Sequence, residues 1–272
     1  METIVELLRR HPGFAPAKGQ MDDAPTDEEV WAANSVDFYD MVSLGMLTDT
    51  VDGNVVVRTK EEKYLDMCQK YGRSGKLTPD DEARIVEVGY QRLVARMARA
   101  GVPRMFLGVP ADERYVETFS QGYGLFVHGP VGTGKTTLAC AALKGWMKVN
   151  PYGNPVFVTA PQLMSTLGST YGTNTTPEQV MQGYTKCPLL IIDDLGKEVV
   201  DDRNVSRLWR VINDRCADML PTIITSQLKR SALVAAFGNE ESTSIGSRLK
   251  GFFAEVETSG PDMRITRQIG EG

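Results

Sequence analysis

The chain has 272 residues, is 42% hydrophobic and 24% charged, and carries a formal charge of −5. This length passes the size at which one core usually stops growing, so two parts are expected, and the negative balance excludes a protein that coats nucleic acid by bulk attraction. No run of about 18 apolar residues is present, which excludes a membrane-spanning helix.

Met1–Arg10 places Glu2 and Glu6 among its apolar residues and lacks the core of a secretory signal, so a cytoplasmic protein without a membrane partner is expected. Cys68, Cys140, Cys187 and Cys216 are too scattered for a CxxC metal pair or a disulfide framework and read as reduced thiols. Residues 12–25, rich in Pro, Gly and Ala, read as a mobile arm, so the first 25 residues are set apart from the folded chain. Thr26 and Glu29 have capping-box spacing, and Val30, Trp31, Val36 and Tyr39 follow at helical intervals. Between Met46 and Arg58 an Asp-Gly pair between β-prone residues predicts a short hairpin, in either a winged-helix module or an ordinary mixed subdomain.

Thr78-Pro79-Asp80-Asp81 predicts a helix start, and Ile85, Val88, Gly89, Arg92 and Met97 carry the helix to about Ala100, where Gly101 and Pro103 stop it. Arg84, Arg92, Arg96 and Arg99 share a broad face of this helix, which reads as a solvated face before it reads as a DNA contact. The Gly- and Pro-punctuated stretch from Gly101 to Gly124 suggests a domain boundary near residue 110, giving a smaller, mostly helical domain over 26–110 and a second over 111–272. In that second part apolar β-branched runs (Leu125–His128, Val156–Thr159, Leu189–Asp193, Thr222–Thr225) alternate with helical patterns. An α/β fold follows, with a parallel sheet flanked by helices.

Gly129-Pro130-Val131-Gly132-Thr133-Gly134-Lys135-Thr136 fits the P-loop pattern and stands where the chemistry requires it, between an apolar strand and a helix opening at Thr137. Glycines let successive backbone N–H groups turn inward onto phosphate oxygens, and the helix N-terminus adds its positive end. Lys135 supplies a cation for the β and γ phosphates, and the Thr136 hydroxyl suits Mg2+. Leu189–Ile192 then runs into Asp193 and Asp194. Asp193 is placed to hold the metal, and Asp194 to orient or deprotonate an attacking water. ATP and Mg2+ are the expected ligands.

The stretches Gly124–Ala139 and Leu189–Glu198, with Ile212–Arg215 and Pro221–Gln227 beyond, resemble the DnaC/IstB family, a branch of the AAA+ ATPases, over about residues 101–267. The resemblance implies a five-stranded sheet of order 5-1-4-3-2 and a homo-oligomer whose ATP sites are completed by a neighbouring subunit. It also implies that Gln227 is the polar sensor at the end of the fourth strand, that Arg248 is an arginine finger, and that Arg264 is the second sensor. The family more often has Asn at the first sensor, and Asp194 stands where most AAA+ proteins have Glu, so slow turnover is expected. The chain has no counterpart of the cysteine-rich zinc module that some relatives carry in the N-terminal half. The function expected from the resemblance is that of an ATP-switched loader of a DnaB-like replicative helicase that also meets single-stranded DNA. An IstB-type regulator of DNA transposition is the nearest alternative, and a metabolite kinase and a non-hydrolysing ATP-binding interaction protein are the others.

Overall fold

The computed structural model of the chain describes residues 39, 42–43, 48–51, 54–70, 76–168, 176–196, 202–238 and 240–262. The expected arm and the opening of the first helix, from Thr26 to Val36, lie outside the described residues. Contacts divide the chain into two units, residues 1–89 and 90–272.

In the first unit the anticipated hairpin is formed by β1 (Thr48–Val51) and β2 (Asn54–Val57), antiparallel, with Thr48 opposite Val57. Helix α1 (Lys60–Lys70) follows. It opens with a reciprocal cap in which Thr59 N–H donates to Glu62 Oε2 at 2.7 Å and Glu62 N–H donates to Thr59 Oγ1 at 3.2 Å. Its Tyr64, Met67 and Cys68 recur at helical spacing and pack with Tyr39, Val42 and Ile85 into a small core. Helix α2 (Pro79–Arg99) starts at the predicted place. Thr78 N–H donates to Asp81 Oδ2 at 3.0 Å, and Asp81 N–H returns a bond of 3.2 Å to Thr78 Oγ1.

The second unit takes up the last turns of α2 and continues as α3 (Val116–Ser120), β3 (Gly124–His128), α4 (Lys135–Val149), β4 (Val156–Thr159), α5 (Ala160–Gly168), α6 (Pro177–Thr185), β5 (Leu190–Asp193), α7 (Asp202–Ala217), β6 (Thr222–Ser226), α8 (Arg230–Phe237), α9 (Glu240–Phe252) and β7 (Phe253–Glu257). The last five strands form one parallel sheet in the order β4-β5-β6-β3-β7. Numbered from β3, this is 2-3-4-1-5, the anticipated AAA+ order read from the opposite edge. Alternation along the strands sends Phe126, Leu190, Ile192, Ile224 and Phe253 into one core with α5 to α9. Leu125, Val127, Phe157, Ile191 and Ile223 enter the other, with α4 and the end of α2.

The segment from Gly101 to Gly124, read from its punctuation as a boundary, closes over this second core. Val102 and Phe119 are buried in it, Leu107 and Val109 pack against it, and Lys144 donates to the carbonyls of Leu107 at 3.3 Å and Val109 at 2.9 Å. Arg96 leaves the solvated face expected of its helix. Its guanidinium donates to the carbonyls of Met147 at 2.8 Å, Asn150 at 2.6 Å and Gly153 at 2.9 Å, satisfying acceptors at the end of α4. At the β4 edge, Phe157 N–H donates to Ala100 O at 2.7 Å. At the β7 edge, Glu255 pairs with Arg230 at 2.6 Å and Glu257 with Lys229 at 3.4 Å. The four cysteines are buried free thiols. Among the described residues no helix is long and apolar enough to cross a membrane.

Arg215, 1% exposed, staples the end of the sheet opposite the P-loop. Its guanidinium donates to Thr222 Oγ1 at 2.7 Å and to the carbonyls of Tyr184, Cys187 and Pro221 at 2.8, 2.8 and 2.7 Å. Burial pushes this guanidinium below its usual range, and the carbonyls compensate the charge. Arg215→Met takes the guanidinium donors away from these buried acceptors, and urea unfolding is expected to show a loss of about 3 kcal/mol, the order of cost for removing one side of a buried polar cluster.

Candidate nucleotide-binding site

The P-loop leaves the end of β3, the strand flanked by β6 and β7 in the sheet. Gly129, Gly132 and Gly134 have φ of 151°, 79° and 87°, a region open to glycine but strained for other residues. These values turn the chain back so that α4 begins directly at Lys135. Lys135, 8% exposed, has Nζ donating to the carbonyls of Gly129 at 3.0 Å and Pro130 at 2.7 Å, so the cation lies within the loop it is expected to serve. Val131 is exposed on the outer rim, and Thr137 sits half-buried in the first turn of α4. Thr133 Oγ1 donates to Pro130 O at 2.9 Å and closes the turn.

β5 delivers Asp193 beneath this loop. Thr136 Oγ1 lies 2.9 Å from Asp193 Oδ1 and 3.2 Å from Oδ2, so the two residues expected to hold a metal are in contact. Burial raises the Asp193 carboxyl above the usual carboxylate range, and the negative charge of Asp194 adds to this. Hydrogen bonds from Thr225 and Thr136 and the charge of Lys135 pull in the other direction. Burial, with Asp193 nearby, also pushes the Cys140 thiol up to about 12, which keeps it protonated.

Asp194 is exposed and has φ of 58°. A left-handed backbone costs a non-glycine residue about 1 kcal/mol, least for Asp and Asn. The Asp194 N–H is fixed by Thr225 Oγ1 at 2.8 Å, and the same hydroxyl donates to Asp193 Oδ1 at 2.7 Å.

The remaining expected residues are placed differently. Gln227 is exposed in the turn after β6, and the polar contact from β6 to Asp193 comes from Thr225, two residues earlier. Arg248 stands on α9, where Nη2 donates to Asn213 Oδ1 of α7 at 3.0 Å and the guanidinium carbon lies 5.6 Å from the Phe252 ring centroid. It is thus held by its own chain's α7 and α9. Arg264 lies outside the described residues.

Motif spacing marks neither Thr225 nor Thr258. Thr258 lies just past β7, where its hydroxyl is 2.7 Å from that of Thr133 and 3.1 Å from His128 O, and its N–H donates to the same carbonyl at 2.7 Å. Its carbonyl fills the space a side chain on Gly129 would need, and the Asp262 carboxylate does the same at Gly132. His128 itself pairs with Glu255 at 3.3 Å. The end of β7 is therefore stitched to β3, the strand that feeds the P-loop.

Parts of the chain are similar to known proteins. The family described as IstB-like ATP binding protein matches residues 114–269. An ATP-binding protein of insertion sequence IS1162 from Pseudomonas fluorescens is 32% identical over 130 residues, covering 46% of this chain and 54% of that protein. An insertion-sequence ATP-binding protein from Mycobacterium tuberculosis is 26% identical over 150 residues, covering 55% of this chain and 59% of that protein. The chain thus spans little more than half the length of these relatives. The crystal structure of the DnaC helicase loader is similar with a TM-score of 0.49 at 19% identity, covering 58% of this chain and all of that one. With its P-loop, its paired aspartates and its sheet order, the chain belongs to the IstB-like ATP-binding family.

Proposed function

We propose that the chain is a MgATP-dependent assembly switch that hydrolyses ATP slowly and acts on DNA in transposition. The observation that carries the nucleotide part is the contact of Thr136 with Asp193 at the base of the P-loop. A hydroxyl and a carboxylate side by side form a hard-oxygen donor set that suits Mg2+. Mg2+ bound there would neutralise phosphate charge. Lys135 is placed to exchange its bonds to Gly129 and Pro130 for phosphate oxygens, and the N–H groups of the loop and of the first turn of α4 hold the remaining oxygens. Asp194, exposed at the end of β5, is the group that takes the proton of an attacking water. Gln227, on the turn after β6, senses the terminal phosphate in this reading, and Arg264 acts as a second sensor.

Arg248 acts on a neighbouring subunit. Its anchorage on Asn213 occupies one donor of five, and the others remain for a phosphate across an interface. An ATP site completed in this way makes hydrolysis depend on assembly, so the isolated chain turns over slowly. For the partner, the insertion-sequence relatives favour a transposition complex on duplex DNA. One observation favours a helicase loader instead: the hairpin and helices of the first unit lie outside the family match, where a separate partner-binding unit is needed to grip a DnaB-like helicase beside single-stranded DNA.

Lys135→Ala is expected to weaken binding of a fluorescent ATP analogue at least about tenfold, the order of a lost charge-assisted contact. Asp194→Ala is expected to retain binding while turnover falls about a hundredfold or more. Equal binding by the Lys135 variant would remove the P-loop from the mechanism, and undiminished turnover in the Asp194 variant would take Asp194 out of the hydrolytic step. Arg248→Ala is expected to bind ATP as wild type does and to lose the turnover gained at concentrations where the chain assembles, by about a hundredfold or more. Light scattering during size-exclusion chromatography would separate the partners. ATP-dependent assembly on duplex DNA supports transposition, whereas a nucleotide-dependent complex with replicative helicase in the absence of DNA would turn the reading to the loader.

A further inference from the structure

We propose that Thr225 is a positioning residue for the paired aspartates, its single hydroxyl aiming the Asp193 carboxylate and holding the left-handed backbone of Asp194. The proposal rests on the reading of Asp193 as a magnesium ligand. A threonine hydroxyl has one proton and two lone pairs. Here the proton goes to Asp193 Oδ1 at 2.7 Å, and a lone pair accepts the Asp194 N–H at 2.8 Å.

The ladder of β5 with β6 runs through Ile192 and Ile224. Beyond it β6 holds the chain with one further main-chain bond and with side-chain hydroxyls. Thr225 O accepts Leu195 N–H at 2.8 Å, and Ser226 Oγ donates to Leu195 O at 2.6 Å while accepting Leu228 N–H at 3.1 Å. Three consecutive residues, Asp193 to Leu195, are therefore tied to Thr225 and Ser226.

Thr136 reaches both oxygens of Asp193 from the P-loop side, and Thr225 engages Oδ1 from β6. Donors from two elements stop the carboxylate from turning about its bond to Cβ. Without Thr225 the carboxylate keeps one of these donors and can turn, and the N–H that sets the Asp194 turn loses its acceptor. The same β6 turn carries Gln227, so a shift of β6 on nucleotide binding would reach both aspartates through one oxygen atom.

Binding of a fluorescent ATP analogue, titrated with MgCl2 and separately in EDTA, tests this on wild type, Thr225→Val, Thr225→Ala and Thr225→Ser. In EDTA the P-loop alone binds, and all four proteins are expected to agree within about twofold. With magnesium, Thr225→Val and Thr225→Ala are expected to need about tenfold more Mg2+ to reach half of the enhancement, the size expected for a lost hydrogen bond to a charged group, while Thr225→Ser returns close to wild type. A wild-type Mg2+ midpoint in the Val and Ala variants would overturn the proposal. So would loss of binding in EDTA together with a lowered melting temperature in both, because the hydroxyl would then serve the fold and not the metal. A wild type whose binding ignores Mg2+ would instead overturn the metal reading of Asp193, and the proposal with it.

Discussion

A carboxylate buried at the end of a strand that is itself covered on both faces must find its donors inside the protein, since water cannot supply them. Asp193 finds them in two hydroxyls, Thr136 from the P-loop and Thr225 from the neighbouring strand. For this contact to form, β5 must end level with the start of α4, and β6 must lie between β5 and the P-loop strand, which is the sheet order observed. The left-handed turn at Asp194 and the placing of Lys135 near the same carboxylate follow from that alignment. Binding chemistry and sheet topology are here one constraint.

The second unit was legible in outline because its signals are physical and local. Apolar runs buried on both faces cannot read as anything but interior strands when glycine loops and helical repeats separate them, and Gly129–Thr136 is tied to its geometry by the backbone freedom its chemistry needs. What escaped the sequence were contacts whose residue types carry no special mark. Thr225 stands in a β-branched strand where any Thr reads as a strand former, and its role depends on the end of another strand 31 residues away in sequence. Thr258 lies beyond the last strand and is 125 residues from the Thr133 hydroxyl it meets.

In the first half, local signals fall short of the packing. The hairpin and the start of α2 were visible in their turn and capping residues, but α1 was hidden by its charge, with only Tyr64, Met67 and Cys68 showing a face. The Gly- and Pro-rich stretch after α2 looked like a linker because punctuation does not reveal burial, and Val102 and Phe119 are too far apart in sequence to form a recognisable stripe. Arg96 shows the same limit for charge. Beside Arg92 and Arg99 it looks like part of a solvated face, and only the distant end of α4 shows that it serves carbonyl groups.

The two margins of the parallel sheet are both managed. On β4 a main-chain N–H is taken by Ala100 just after α2, and on β7 the outward residues include Glu255 and Glu257, each paired with a cation that follows β6. An open strand edge invites another strand to add to it, and charge or cover discourages this. In the proposed assembly, copies of the chain would therefore meet through side-chain surfaces and not by strand pairing at either edge of the sheet.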